Sequence, residues 1–267
     1  MGDELELQIH GDASLPTLIY LPGLHGDWTL IGGFRRCVAG KVRFVEVTYP
    51  RTLSWSLDDY AIAIESALAR RSINCGWLLA ESFGSQPLWT LVARNPGPHL
   101  KECAPTQFCV EGIILAGGFV RHPLQWVVHL TELMTGAISN AIFVWIVFNY
   151  AKVARLRYRR SPEVLATIDE FIARRSQRLD RRAARNRVHL IANNDPRQTA
   201  ARTTVPIFGL SGWLDPVVPW PWVRRWLTRH CPTLKAFRVL READHNVLST
   251  APQAAAAQVL QWMQTRA

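Results

Sequence analysis

Short apolar runs alternate with helical patterns along this chain, and this alternation constrains its fold more than any other feature. Six runs rich in Val, Ile and Leu predict strands, several of them apolar enough to be buried on both faces. These runs span residues 17–21, 42–47, 76–80, 112–117, 205–210 and 236–240. Helical patterns occupy residues 57–71, 83–95, 221–230 and 252–264. The alternation predicts an α/β fold, in which a mostly parallel sheet is flanked by helices on both faces.

About eighty residues separate the fourth predicted strand from the fifth, far more than a compact domain needs for a connection. We therefore expect core segments at residues 1–120 and 203–267, interrupted by a helical cap at residues 121–202. Residues 137–150 are apolar but too short for a membrane span. The first half of the cap has apolar residues at helical spacing, namely Trp126, Leu130, Leu133, Met134, Ala137, Ile138, Ala141, Ile142 and Trp145.

The net charge of +10 is concentrated in the second half of this cap. Residues 152–202 contain 14 basic and five acidic residues, whereas the rest of the chain contains 17 and 16. Motifs for nucleic-acid binding are missing, so no nucleic-acid partner is expected. The arginines of 171–190 form a solvated face if the apolar residues there dock on the domain. Those residues are Phe171, Ile172, Leu179 and Val188.

The alternative for this basic segment is an acidic partner, such as an acyl carrier protein or an anionic membrane surface, steered by the charge.

The five cysteines are scattered, without paired metal-ligand spacing, and predict reduced thiols. Cys103 and Cys109 would pair only in an oxidising compartment. The first residues, Met-Gly-Asp-Glu-Leu-Glu-Leu, predict a strand rather than a signal peptide, so we expect a cytoplasmic protein.

Polar residues follow three of the predicted strands where each strand ends. Ser82 follows the strand at 76–80, Asp215 the one at 205–210 and His245 the one at 236–240. Open α/β sheets place their sites at this edge. The loop after the strand at 17–21 reads Pro-Gly-Leu-His-Gly, and its glycines can expose backbone N–H groups. From its own segment, Ser82 is either a nucleophile at a strand-to-helix turn or the N-cap of the next helix.

The order Ser, Asp, His on this alternation resembles the α/β-hydrolase superfamily, and the resemblance covers essentially the whole chain. The segment Ala80-Glu81-Ser82-Phe83-Gly84 departs from the family's Gly-x-Ser-x-Gly elbow only at the first glycine. The segments VPIFGLSGWLDPVVP and ADHNVL are similar to the family's acid and histidine segments. The motifs YLPGLHGD, LLAESFGS and LAGGFVRHP resemble bacterial serine esterases, including pimeloyl-acyl-carrier-protein methyl ester esterases and general carboxylesterases.

This resemblance implies a catalytic triad of Ser82, Asp215 and His245, with an oxyanion hole formed by the backbone N–H groups of Leu24 and Phe83. It implies hydrolysis of small to medium acyl or aromatic esters through an acyl-enzyme, with no metal or organic cofactor. A thioesterase or C–C bond hydrolase with the same triad, or a non-catalytic ligand-binding protein, is the alternative. The residues expected around a small-molecule ester are Trp28, Phe119, Trp126, Trp145 and Val217.

Overall fold

The computed structural model describes residues 4–95, 108–175 and 181–265 of the 267-residue chain. One seven-stranded sheet has the order β1-β3-β2-β4-β5-β6-β7. Only β1 is antiparallel to its neighbour, β3, so the predicted mostly parallel sheet is confirmed. The strands are β1 (Glu6–His10), β2 (Thr17–Leu21), β3 (Arg43–Thr48), β4 (Cys75–Glu81), β5 (Cys109–Ala116), β6 (Ile207–Gly212) and β7 (Leu234–Leu240).

The strand β4 lies in the middle of the sheet, where both of its neighbours hold it in register. Leu21 of β2 pairs with Ala80, and Ala116 of β5 pairs with Glu81. From Gly76 onwards every residue of β4 is buried. Burial on both faces explains why this run is almost continuously apolar rather than alternating. The carboxyl ends of β2, β4 and β5 therefore meet at one edge, just before the loops that carry the predicted site.

Helices cover both faces of the sheet, as the sequence predicted. On one face, Tyr60 of α2 and Trp89 of α3 belong to the larger hydrophobic core. On the other face, Phe34 of α1 and Trp262 of α11 belong to a second core. The helices are α1 (Gly32–Val38), α2 (Leu57–Ala69), α3 (Ser85–Arg94), α4 (Gln125–Ala137), α5 (Asn140–Arg157), α6 (Pro162–Arg175), α7 (Arg181–Asn193), α8 (Arg197–Arg202), α9 (Trp220–His230), α10 (Val247–Thr250) and α11 (Pro252–Gln264).

Two of these helices, α1 and α10, were not predicted, because seven and four residues are too few to show a helical period. The helix predicted at 83–95 is also different at its start. A 3₁₀ turn, Ser82–Gly84, comes first, and α3 begins only at Ser85.

Five helices, α4 to α8, lie between β5 and β6, in the stretch where the sequence predicted a helical cap. We call this stretch the cap; its boundary residues, 121 and 202, stay a prediction. The buried face of α4 packs on α7 through Val128, and α5 packs on α6 around Ala151. The apolar residues on the opposite faces of α4 and α5 are exposed. The helical spacing was predicted, but this exposure was not.

The four apolar residues expected to dock the basic segment have different surroundings. Val188 is buried in the larger core, Ile172 packs against the cluster around Ala151, and Phe171 is half-buried. Leu179 lies outside the described residues. In the described part of the chain, no helix is long and apolar enough to cross a membrane. Cys103 also lies outside the described residues, so the expectation that it is reduced and not bridged to Cys109 stays a prediction.

Candidate active site

Ser82 occupies a strained turn between β4 and α3. Its φ of 49° lies in the left-handed region, which residues with a side chain rarely adopt. Such a conformation costs roughly 1–3 kcal/mol and persists only where its surroundings enforce it. A Cβ on Gly84 would overlap the carbonyl oxygen of Leu21, so only glycine permits this close approach. On the helix side, Ser85 Oγ donates to the Ser82 carbonyl at 2.7 Å.

The interpretation of Ser82 as a helix cap is wrong. The N-cap position of α3 is Gly84, and no side chain caps that helix. The Ser82 hydroxyl is instead hydrogen-bonded to a residue 163 positions away, His245.

Ser82, His245 and Asp215 form one continuous chain of hydrogen bonds. Ser82 Oγ lies 2.9 Å from His245 Nε2, and His245 Nδ1 lies 2.9 Å from Asp215 Oδ2. Because an ionised carboxylate only accepts hydrogen bonds, Nδ1 carries the proton and Nε2 is left to accept from the serine. The Asp215 side chain is fully buried, whereas Ser82 and His245 are 8% and 7% exposed. The hydrogen-bonded pair of Ser82 and His245 therefore reaches solvent, and the carboxylate behind it does not.

Backbone groups hold the Asp215 carboxylate in position. Its Oδ1 accepts from the N–H groups of Val217 and Val218, both at 2.8 Å, so Oδ2 is left for His245. His122, which the sequence analysis missed, ties this loop to the one after β5. Its Nε2 donates to the Val217 carbonyl at 3.1 Å. A histidine directly after an apolar strand, in Phe-Val-Arg-His-Pro, was the signal that it takes part in this edge of the sheet.

The loop after β2 comes close to the serine. A Cβ on Gly23 would lie 3.3 Å from Ser82 Cβ, so this residue brings the backbone of the loop beside Ser82. Leu24, the next residue, is one of the two predicted oxyanion donors. The other, Phe83, has its ring buried against Tyr49 and Tyr60, with centroids 5.9 and 5.7 Å away. The loop of Leu24 thus lies close to Ser82, and the Phe83 ring is fixed by its neighbours. The role of the two N–H groups as oxyanion donors stays a prediction.

Arg187 of α7 anchors this loop to the cap. Its guanidinium donates to the carbonyls of Leu24, at 2.7 Å, and Pro50, at 3.1 Å. Gly26, with a φ of +79°, leaves the room that the guanidinium fills. Arg187 is only 4% exposed, so one arginine of the basic segment is a buried link rather than part of a solvated face. Sequence analysis could not single it out among thirteen arginines of residues 152–202.

Glu81 lies directly before the serine, and its carboxyl group is fully buried. The Tyr20 hydroxyl donates to Glu81 Oε2 at 2.5 Å and lies 3.3 Å from His25 Nε2. Within the described residues, Glu81 Oε1 has no hydrogen-bond partner. His25 is thus part of a largely buried polar network beneath the turn of Ser82.

Burial raises the pKa of Glu81 from 4.5 to about 7, outweighing the hydrogen bond from Tyr20 and the charge of His245. Burial acts in the opposite direction on His245 and lowers its pKa. The hydrogen bond and charge of Asp215, with the charges of Glu81 and Asp244, outweigh that effect and leave the pKa of His245 raised above its ordinary value. The surrounding carboxylates therefore favour the protonated form of His245, whereas burial favours the protonated, neutral form of Glu81.

The five predicted substrate-binding residues have different environments. Phe119 is buried against His122, and Trp28 is half-buried under Arg35 beside the second core. Val217 is half-exposed next to Asp215, whereas Trp126 and Trp145 are 67% and 66% exposed. The structure does not gather all five in one enclosed pocket, because two fill packing positions and two are largely in solvent. Their role in substrate binding stays a prediction.

Two surface cavities lie beside the cap, and no residue of the triad lines either of them. One, of about 290 Å³, lies between α4 and α7 and is lined mainly by polar groups, including Arg181, Arg185 and His189. The other, of about 330 Å³, lies between the loop after β5 and α9, where Trp222 and Trp226 line it. Among the described residues, no group of three or more His, Cys, Asp or Glu is placed to hold a metal ion.

Solved structures resemble this chain along nearly its whole length. The enol-lactonase from Burkholderia xenovorans has a TM-score of 0.74 at 16% identity, covering 97% of this chain and 96% of its own. An esterase from Exiguobacterium antarcticum has 0.74 at 12%, covering 97% and 95%. An α/β hydrolase enzyme from a deep-sea metagenome library has 0.72 at 12%, covering 97% and 94%. No protein-family model and no curated protein sequence matches the chain. The predicted α/β-hydrolase fold is confirmed.

Glu81→Gln is expected to stabilise the protein increasingly as the pH rises. The unfolded chain ionises Glu81 near pH 4.5, whereas the folded protein keeps the proton to about pH 7. The contribution of Glu81 to stability is therefore fully present below pH 4.5 and is lost as the pH rises through about 7. The change in pKa corresponds to a loss of about 3 kcal/mol in the free energy of unfolding. Glutamine does not ionise, so the variant avoids this loss. Urea unfolding at a series of pH values measures the difference, with exposed Glu242→Gln as the control. A difference independent of pH would contradict the proton on Glu81.

Arg187→Met is expected to lower the free energy of unfolding by about 1–3 kcal/mol. Methionine keeps an apolar stem but leaves the carbonyls of Leu24 and Pro50 without their donor, and a buried unpaired acceptor costs about this much. Urea unfolding measures the loss. The matched control is Arg159→Met, an exposed arginine of the same cap, for which less than about 0.5 kcal/mol is expected. Equal effects of the two changes would show that Arg187 is not an anchor.

Proposed function

We propose that this chain is a serine hydrolase that cleaves carboxylic esters through an acyl-enzyme intermediate. We further propose that it belongs to the α/β-hydrolase superfamily, near the bacterial serine esterases that include pimeloyl-acyl-carrier-protein methyl ester esterases and general carboxylesterases. The observation that carries the proposal is the continuous hydrogen-bond chain from Ser82 through His245 to Asp215, with the serine on a strained turn.

The triad supplies the nucleophile and moves its proton. A serine hydroxyl is a weak nucleophile, so His245 Nε2 takes its proton as Oγ attacks the ester carbonyl. The same proton passes to the leaving alcohol oxygen as the C–O bond breaks, which leaves the acyl group on Ser82. Water then attacks the acyl carbon, giving its proton to His245, and Ser82 departs with that proton as the acid is released. Asp215 holds the imidazole in the required tautomer and stabilises its charged form.

The backbone N–H groups of Leu24 and Phe83 are proposed to bind the oxyanion of the tetrahedral intermediates. Gly23 brings the loop of Leu24 close to Ser82, and Arg187 holds that loop from the other side. The rings of Tyr49 and Tyr60 fix Phe83. Donors held in advance need no reorganisation during the reaction, and each typically contributes about 3 kcal/mol.

The substrate class is proposed as a small to medium acyl or aromatic ester. Solved structures of the same fold include esterases and an enol-lactonase, and a lactone is itself a cyclic ester. The half-exposed Val217, next to Asp215, is the predicted substrate-binding residue whose position favours a direct contact with the acyl group.

Ser82→Ala is expected to reduce ester hydrolysis by at least about four orders of magnitude without unfolding the protein, because the hydroxyl performs chemistry and fills little space. p-Nitrophenyl esters of increasing chain length, compared with acyl thioesters, measure the rate and identify the substrate class. The control is Ser249→Ala, a buried serine beside the His245 loop, which should keep activity within about ten-fold. Undiminished turnover by Ser82→Ala would rule out the proposed mechanism.

Asp215→Asn is expected to lower kcat by about ten-thousand-fold, because an asparagine favours the wrong histidine tautomer. It should also move the acid limb of the pH–rate profile to lower pH. His245 accepts a proton only when neutral, its pKa is raised by Asp215, and the parent therefore loses activity as the pH falls through that raised pKa. Asp244→Asn is the control and should cost less than about ten-fold. If Asp244→Asn has the larger effect, Asp215 is not the acid of the triad.

A further inference from the structure

The helix α5 has an exposed apolar stripe. Exposed residues recur at the spacing of one helical face, while Ala151, which packs on α6, lies on the opposite face. Their exposed fractions lie between 47% and 69%. These residues are Ile142, Trp145, Ile146, Val153 and Leu156. A helix normally buries such a stripe against its own domain, but α5 packs through its other side.

The helix α4 has a second stripe of the same kind. Its buried positions, Val128 and Thr135, face α7, and its exposed positions lie on the other side. The large apolar residues there are Trp126, Leu130, Leu133 and Met134, which are 48–67% exposed. We call these two stripes together the α4–α5 face. Large apolar side chains left exposed on two consecutive helices favour a docking site.

Basic residues border the stripe on α5. On a helix with 3.6 residues per turn, Lys152 lies one turn from Leu156 on one border of the stripe, and Arg157 lies one turn from Val153 on the other. Both are exposed, as are Arg159 and Arg160, which follow the helix.

Acidic groups near this face are few and paired. Residues 125–157 contain one acidic side chain, Glu132, which binds His189 at 2.7 Å. Asp169, which lies 2.5 Å from Arg155, neutralises only that arginine. The face therefore combines an apolar centre with a cationic border.

We propose that the α4–α5 face docks on an anionic lipid surface, with the two helices lying along the membrane–water interface. The apolar side chains would enter the boundary between headgroups and acyl chains, and the tryptophans suit this depth because their rings are amphipathic. Lysine and arginine side chains can extend to the headgroup phosphates, and each contributes attraction near an anionic surface. At 18 residues, α5 is about 27 Å long, enough to lie on a membrane as a lengthwise anchor.

The charge distribution favours lipid over a second copy of the chain. Residues 152–202 carry a net charge of +9, so two caps facing each other would bring like charges together. An acidic protein such as an acyl carrier protein would complement the charge, but it offers no apolar phase for nine exposed side chains on two helices. An anionic bilayer satisfies both requirements.

The face is connected to the candidate active site through the start of α4. His122, three residues before that helix, donates to the Val217 carbonyl beside Asp215. The inference itself concerns binding and does not depend on the proposed hydrolysis.

Vesicle flotation with the full-length protein tests the proposal. The probes are vesicles of phosphatidylcholine alone and of phosphatidylcholine mixed with phosphatidylglycerol. We expect binding to the mixed vesicles, weak binding to the neutral ones, and a loss of binding as salt is raised, because salt screens the attraction. Ser82→Ala should bind as the parent does, which separates this result from the proposed function.

Two sets of substitutions separate the apolar and ionic contributions. The apolar set should weaken partitioning into anionic vesicles at least about ten-fold. The ionic set, which removes three charges, should weaken it on the order of 100-fold. The apolar set is Trp126→Ser, Trp145→Ser and Leu156→Ser, and the ionic set is Lys152→Gln, Arg157→Gln and Arg159→Gln. The matched controls are Ile62→Ser with Trp222→Ser, and Arg70→Gln, Arg71→Gln and Arg229→Gln, which are exposed outside the cap. These should bind as the parent does.

Several results would overturn the proposal. Absence of vesicle binding, equal binding to neutral and anionic vesicles, or equal loss in the test and control sets would each exclude docking by this face. If light scattering detects a dimer and the apolar substitutions dissociate it, the face is assigned to a second copy of the chain. Binding of an acyl carrier protein that needs the ionic set, without vesicle binding, would assign it to an acidic protein. Circular dichroism of each variant checks that the cap is still folded.

Discussion

The backbone strain at Ser82 is the constraint on which the rest of the site depends. A residue with a side chain adopts a φ of 49° only when the turn is enforced from both ends. Here β4 enforces one end from the middle of the sheet, and the approach of Gly84 to Leu21 enforces the other. The loop of Gly23 lies beside Ser82 at the same turn. One turn thus positions both the hydroxyl and the backbone that faces it.

The electrostatics of the site follow from where its carboxyl groups lie. Asp215 is fully buried but receives two backbone N–H groups and the imidazole, which is a setting for a charged carboxylate. Glu81 is equally buried but accepts one hydroxyl, and one of its oxygens has no partner among the described residues. Burial raises the pKa of Glu81 more than this one hydrogen bond lowers it, which favours the neutral acid. The two carboxyl groups therefore differ in their hydrogen-bond partners, and of the two only Asp215 is hydrogen-bonded to the His245 imidazole.

The cap is held by a few specific contacts and leaves much of its own surface unpaired with the core. Arg187 joins α7 to the carbonyls of Leu24 and Pro50, so the cap and the loop beside the serine form one unit. By contrast, α4 and α5 pack through one side only, and their apolar stripes are exposed. The cap is therefore fixed to the loop beside Ser82 on one side and presents the α4–α5 face as a second, exposed surface.

The sequence by itself determined the sheet and the order of Ser82, Asp215 and His245, because strand periodicity and polar residues at strand ends are local features. Only the tertiary structure decided what surrounds them. Arg187 meets Leu24 across 163 positions, and Tyr20 meets Glu81 across 61, so no local pattern distinguishes them from other arginines and tyrosines. The periodicity of α4 and α5 likewise showed that one face is apolar. Whether the domain covers that face depends on how the helices pack, which periodicity does not specify.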